Sequence, residues 1–293
     1  MKVAVLGASG VIGSALLPEL TREHDVLAVS RSSHRDGEGV RWLQADAMDE
    51  ASLDDVFRGV DACVHLVHSL GSRDFAAADR VAAENVARAA SRAGLRQIVY
   101  LGGLGEDDPN LSPHLRSRRE TAELLSSGST PVTTLRAAMV VGPKSAAFET
   151  ILALVDRLPA MICPRWVTVP TQPIALRDVT RYLSGVCGVE PAFGETFDVG
   201  GPDVMTYREM IERIARQRGK HPLIVEVPVL TPRLSSWWLH LVTPVKAAIA
   251  RPLIEGLRVP TVAHDDRIRE LVPIELTSFD DAVRDALASP AAG

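Results

Sequence analysis

The chain has 293 residues, is 46% hydrophobic and carries a formal net charge of −5. That length buries a sizeable core, as one large domain or as a domain with a smaller lobe, and the mild acidity gives no reason to expect nucleic acid. Cys63, Cys163 and Cys187 lie far apart with no Cys-x-x-Cys pair, which argues against a disulfide framework or a zinc site and suits a reducing cytosol.

Val3 to Leu6 is a short β-branched, apolar run that reads as a buried strand. No signal peptide is expected before it. Gly7-Ala8-Ser9-Gly10-Val11-Ile12-Gly13 follows, and Ser14 to Arg22 has apolar residues at helical spacing. Strand, glycine turn and helix in that order form the unit that holds a dinucleotide pyrophosphate. Gly7 permits a turn too tight for a Cβ, Gly10 lets backbone approach phosphate, and Gly13 lets the helix pack on the strand. Free N–H groups at the helix start then meet the anion.

The pattern then alternates. Asp25 to Ser30, Val40 to Gln44, Ala62 to Val67, Gln97 to Leu101 and Val132 to Val141 read as strands. Ala51 to Arg58, Asp74 to Ala93 and Pro113 to Ser126 read as helices between them. Strands alternating with helices predict an α/β fold with a doubly wound parallel sheet, and a ligand crevice at the carboxyl ends of its strands. The second half is less regular. Phe148 to Leu158, Leu176 to Val186 and Tyr207 to Arg218 read as helices, Thr196 to Val199 and Val225 to Val229 as short strands. Leu234 to Gly256 is apolar and aromatic, with Trp237-Trp238 inside it and Pro244 and Pro252 interrupting it. We expect a nucleotide domain over 1–143 and a smaller substrate lobe over 144–293, some of whose segments return to the first. The tryptophans suit an apolar packing face, with a substrate cleft, a subunit contact or a lipid surface as alternatives. No apolar run is long and uncharged enough to span a membrane.

With these features the chain resembles the atypical or extended short-chain dehydrogenases/reductases, in their NmrA-like branch. That branch includes the nucleotide-binding accessory subunit of mitochondrial complex I. The matching residues are Gly7 to Gly13, Asp46, Tyr100-Leu-Gly-Gly103, Leu135-Arg136 before Val141-Gly142-Pro143, and Pro173-Ile-Ala-Leu-Arg-Asp178. The resemblance implies a Rossmann sheet with bound NAD(H) or NADP(H). Its expected cofactor contacts are Gly7, Ser9, Gly10, Val11, Ile12 and Gly13 in the glycine turn, and Ser30, Arg31 and Ser32 after the second strand. They continue with Asp46 and Ala47, then Leu66, Val67 and His68, then Gly102, Gly103 and Met139. Asp46 would accept a bond from the adenine amine, or else cap the next helix.

Cofactor choice turns on the end of the second strand. An NAD site places Asp or Glu there for the ribose 2′-hydroxyl, but this chain reads Ser30-Arg31-Ser32-Ser33. Arg31 offers a rigid fork of donors to a 2′-phosphate, so NADP(H) is favoured over NAD(H).

Chemistry is less plain. Relatives that transfer hydride use a Tyr-x-x-x-Lys pair on the helix after the fifth strand, with a serine shortly before. The aligned residues here are His114 and Arg118, and Gly102 or Gly103 falls at the serine. The four-residue spacing puts His114 and Arg118 on one helix face. Histidine moves protons near pH 7, and arginine donates without acting as a base. Both also fit as solvated charges beside Arg116 and Arg119. His65 and His68 flank the end of the fourth strand, with His68 near the crevice. No spacing suggests a metal. Two functions remain open. One is a cytoplasmic NADP-dependent oxidoreductase, or related isomerase or dehydratase, acting on a small organic carbonyl or enone. The other is a non-catalytic NADP(H) sensor or regulatory or assembly protein. The partner expected is a small molecule, with membrane association the minority reading, and no pattern sets an oligomeric state.

Overall fold

A computed structural model describes residues 1–37, 39–69, 74–105, 111–227 and 259–288. The Trp237-Trp238 stretch lies outside the described residues. The first half runs β1 (Lys2–Leu6), α1 (Val11–Leu20), β2 (Asp25–Ser30), β3 (Val40–Gln44), α2 (Glu50–Phe57), β4 (Ala62–His65) and α3 (Phe75–Ala93). It continues with β5 (Gln97–Gly103), α4 (Pro113–Leu125) and β6 (Val132–Ala137). The second half adds β7 (Val140–Val141), α5 (Ala146–Arg157), β8 (Ala160–Pro164), β9 (Pro170–Thr171), β10 (Ile174–Ala175) and α6 (Leu176–Gly185). β11 (Thr196–Val199), β12 (Met205–Thr206), α7 (Tyr207–Gln217), β13 (Leu223–Val227), α8 (Ile268–Leu271) and α9 (Phe279–Ala288) complete it.

Seven strands form one parallel sheet in the order β11-β6-β5-β4-β1-β2-β3. The fold is a Rossmann-type α/β fold. Strand alternation divides the core. Val3 and Val5 join one apolar layer with Leu16 and Leu20 of α1 and Val179 and Leu183 of α6. Ala4 and Leu6 join the other with Val56 of α2 and Val86 and Ala90 of α3. The alanines of α3 are small enough for close approach to the sheet, and Gly94 ends that helix in the left-handed conformation, at φ +69°. Strand order reverses between β1 and β4, which opens a crevice at their carboxyl ends.

Several boundaries differ from expectation. α1 starts at Val11, not Ser14. β4 stops at His65, so strand alternation does not govern Leu66 to His68. β5 runs through Gly103, because Gly102 and Gly103 pair with Arg136 and Ala137. The expected single strand from Val132 to Val141 breaks after Ala137, since Val140 and Val141 leave the main sheet to pair with β10. β8, unforeseen, pairs with β13. β11 returns to the main sheet beside β6, while Phe148, Val155, Met210, Ile214 and Val283 form a second apolar core.

Candidate functional site

The glycine turn sits at the crevice. Gly7 has φ +84°, and a Cβ on it would stand 3.0 Å from the Leu66 carbonyl carbon. A Cβ on Gly13 would stand 2.4 Å from the Gly7 oxygen, so strand and helix meet there at backbone distance. Gly10 caps α1 with extended backbone and no side-chain bond. The first helical bond runs from Ser14 N to the Gly10 oxygen, 2.9 Å. The N–H groups of Val11, Ile12 and Gly13 therefore lack helical acceptors, and the helix dipole adds to their pull on an anion. This backbone cradle fits a pyrophosphate. It lines a cavity of about 370 Å³ together with Leu66, His68, Arg118 and Lys144.

The end of β2 is ordered by one hydroxyl. Ser30 is buried, and its Oγ bonds Ser9 Oγ at 3.1 Å, Ser32 N at 3.2 Å and His34 Nε2 at 3.3 Å. With one donor and two acceptor sites, it is fully used within the protein. Ser30 thus shapes the loop after β2. Arg31 is exposed, its carbonyl held by Gln44 Nε2 at 2.9 Å, while its guanidinium makes no ion pair with a described residue. His34 stacks on Trp42 with ring centroids 4.2 Å apart. Asp46 does not cap α2. Asp49 does, accepting from Ala51 N at 3.1 Å, whereas Asp46 Oδ1 accepts from Met48 N at 3.0 Å. Ala47 is buried and its carbonyl holds Asn85 Nδ2 at 3.0 Å. Val67 is partly buried against the α2–α3 side of the core.

A second cavity, about 160 Å³, lies at the ends of β5 and β6. Ile12, Leu101, Gly102, Gly103, His114, Arg118 and Met139 are among its walls, with Tyr207 and Thr261 from the second half of the chain. α4 sets the polar pair. Ser112 caps it by accepting from Leu115 N at 3.2 Å, with Pro113 in its first turn, and His114 and Arg118 follow one turn apart. The Tyr100 hydroxyl donates to the Arg118 carbonyl at 3.2 Å, and the Arg118 guanidinium stands 6.0 Å from the Tyr100 ring centroid.

The Arg118 charge acts on three histidines of the crevice. Desolvation, then the Arg118 charge, then His68, hold His114 down to about 3, so it is neutral at pH 7 and is no ready proton donor. His65, fully buried, is held to about 3 by the same causes in the same order, and its Nδ1 has no partner among the described residues. His68 is exposed to the cleft and is pushed downward by the surrounding protein and then by Arg118. Burial raises Asp79, on α3. Its carboxylate accepts from Ser69 N at 2.7 Å and from Ser117 Oγ at 3.5 Å, and so ties the loop after β4 to α4. Asp79 was not foreseen; its one signal is a carboxylate within an alanine-rich helix. Lys144 and Tyr207 were also missed. Among the described residues no cluster could hold a metal ion, and no helix is long and apolar enough to cross a membrane.

Residues 7–151 match a family model described as NAD(P)H-binding. A (4-alkanoyl-5-oxo-2,5-dihydrofuran-3-yl)methyl phosphate reductase from Streptomyces griseus is 27% identical over 223 residues, 74% of this chain and 74% of that protein. Subunit 9 of the NADH dehydrogenase (ubiquinone) 1 alpha subcomplex, mitochondrial, from Arabidopsis thaliana is 22% identical over 301 residues, 94% of this chain and 75% of that protein. Among solved structures, an NADPH-dependent quinone oxidoreductase from Escherichia coli, complexed with NADPH, superposes with a TM-score of 0.78 at 19% identity, over 97% of this chain and 99% of that one. Residues 7–151 thus match the NAD(P)H-binding family model, and the chain shares the Rossmann-type fold of that quinone oxidoreductase.

Proposed function

We propose that this protein is an NADP(H)-dependent reductase of a small organic carbonyl or enone, in the NmrA-like branch and cytoplasmic. The observation that carries the reading is the join of the two cavities: Ile12, Leu101, Arg118 and Val140 line both. The backbone of Val11 to Gly13 would hold the pyrophosphate, Arg31 the 2′-phosphate, Asp46 the adenine amine and Arg118 a ribose hydroxyl. When bound, the nicotinamide supplies a hydride. Leu104, Leu115, Ala137 and Val140 give the smaller cavity apolar walls, and it stays open to water. The neutral His114 donates an N–H bond to the substrate oxygen. Arg118, always charged, stabilises negative charge developing there. Because His114 is held neutral, water delivers the proton. Two of the similar reductases are named for an oxo-dihydrofuran phosphate and for quinones, both carbonyl compounds, which supports this substrate class, although a similar structure is that of a triphenylmethane reductase.

A non-catalytic NADP(H) sensor or assembly protein is the second reading. Glycines at 102 and 103 and a neutral His114 where relatives carry serine and tyrosine favour it. A turnover screen with NADPH against aldehydes, ketones, enones and quinones separates the two. The reductase reading predicts NADPH consumption, a fall in kcat of about 10²–10³ for His114→Ala, the usual loss of one oxyanion donor, and unchanged cofactor affinity. Arg118→Ala weakens cofactor binding. Tight NADPH binding with no consumption across the screen supports the sensor.

A further inference from the structure

Lys144 has φ +63° and is the one non-glycine residue with positive φ among the described residues. In that conformation a Cβ crowds the neighbouring carbonyl, a strain that glycine escapes. Such backbone persists where its surroundings fix it. Here three bonds do so. Ser145 N donates to the Gly142 carbonyl at 3.2 Å, Ser145 Oγ donates to the Val140 carbonyl at 2.7 Å, and Lys144 N donates to Glu149 Oε1 at 3.3 Å. Glycine would make this turn without strain, yet the chain carries a lysine. Lys144 lines the same cavity as Gly7, Gly10 and Gly13, and its ammonium makes no ion pair with a described residue. The strain is accounted for when the side chain itself is needed at that wall.

We infer that Lys144 is a clamp on the pyrophosphate of the bound dinucleotide, its backbone held left-handed so that the ammonium reaches the cavity. The inference rests on the reading that this cavity holds NADP(H). The same cation would serve an anion on the substrate, and the test separates the two sources. NADPH, 2′-phospho-ADP-ribose and 2′,5′-ADP are titrated calorimetrically into the wild-type protein, Lys144→Met, Lys144→Arg and Lys144→Gly. Lys144→Met keeps the stem and the strain but removes the charge. It weakens NADPH and 2′-phospho-ADP-ribose by about tenfold, the loss of one charge-assisted contact at a partly solvated site. It leaves 2′,5′-ADP, which has no pyrophosphate, essentially unchanged. Lys144→Arg keeps the affinity. Lys144→Gly weakens the same two ligands and raises the melting temperature of the ligand-free protein by about 2–4 °C, because the strain is gone.

Wild-type affinity for NADPH in Lys144→Met overturns the clamp, and so does an equal loss on all three ligands. A Lys144→Gly protein that melts lower overturns the strain argument. If NADPH binding is untouched while phenyl phosphate binds the NADP⁺ complex more weakly in Lys144→Met, the cation belongs to the substrate and the clamp is wrong. A wild-type protein that binds none of the three nucleotides overturns the cavity reading itself.

Discussion

The two later glycines of the turn have different physical duties. Gly13 has no room, with a Cβ 2.4 Å from the Gly7 oxygen, whereas a Cβ on the exposed Gly10 would meet only that oxygen, at 3.2 Å. Gly13→Ala is therefore a folding variant, expected to cost about 1–3 kcal/mol by forcing strand and helix apart. Gly10→Val leaves the melting temperature nearly unchanged and removes cofactor affinity, because its side chain occupies the approach to the phosphates. Melting curves and NADPH titrations on both variants decide it; a Gly10→Val protein that still binds NADPH takes this loop out of the site. The glycines were legible in the sequence because a strand, three glycines and a helix are local signals. Lys144 was not, since nothing in Gly142-Pro143-Lys144-Ser145 requires a lysine to turn left-handed. The neutrality of His114 was not legible either. It depends on burial and on the nearby Arg118, both set by tertiary packing.

Between elements, Asp79 joins parts far apart in sequence. It lies on α3, receives Ser69 N from the loop after β4, and faces Ser117 on α4. That loop carries Leu66 and His68 on the wall of the cavity beside the glycine turn. Asp79→Ala leaves the half-buried Ser69 N–H without its carboxylate and is expected to cost about 1 kcal/mol. It also lowers NADPH affinity, because the loop loses its anchor. Denaturant unfolding and titration measure both, and an unchanged affinity would separate the anchor from the site. Element identity along the first half followed from hydrophobic period, as with Val3 and Val5 against Ala4 and Leu6. Element ends did not. β6 breaks because Val140 and Val141 find partners in β10, some thirty residues on, and no local pattern announces that pairing. β8 is formed by pairing with β13 in the same way.

Across the whole molecule, acid should be destabilising. His65 is 1% exposed and its pKa is held at about 3, against 6.5 for the free side chain. The folded state therefore refuses a proton that the unfolded chain accepts. Stability from this residue is full above pH 6.5 and falls as pH drops toward the folded value. Between pH 7 and pH 5 the loss from His65 alone is roughly 2 kcal/mol. His65→Phe, which does not titrate, should flatten the slope of melting temperature against pH. Parallel profiles for the two proteins would show that His65 does not control it.

We expect the crevice at the switch point of the sheet to take NADP(H), with Arg31 reading the 2′-phosphate. Paired calorimetric titrations of NADPH and NADH into the wild-type protein and Arg31→Ala test it most directly. A charge-assisted bond to phosphate is worth about 1.5–3 kcal/mol, roughly ten- to a hundredfold in affinity. The wild-type protein should bind NADPH tighter than NADH by that factor, and Arg31→Ala should lose it on NADPH while leaving NADH nearly unmoved. A wild-type preference for NADH, or no binding of either, would mean that the crevice is not an NADP(H) site read by Arg31.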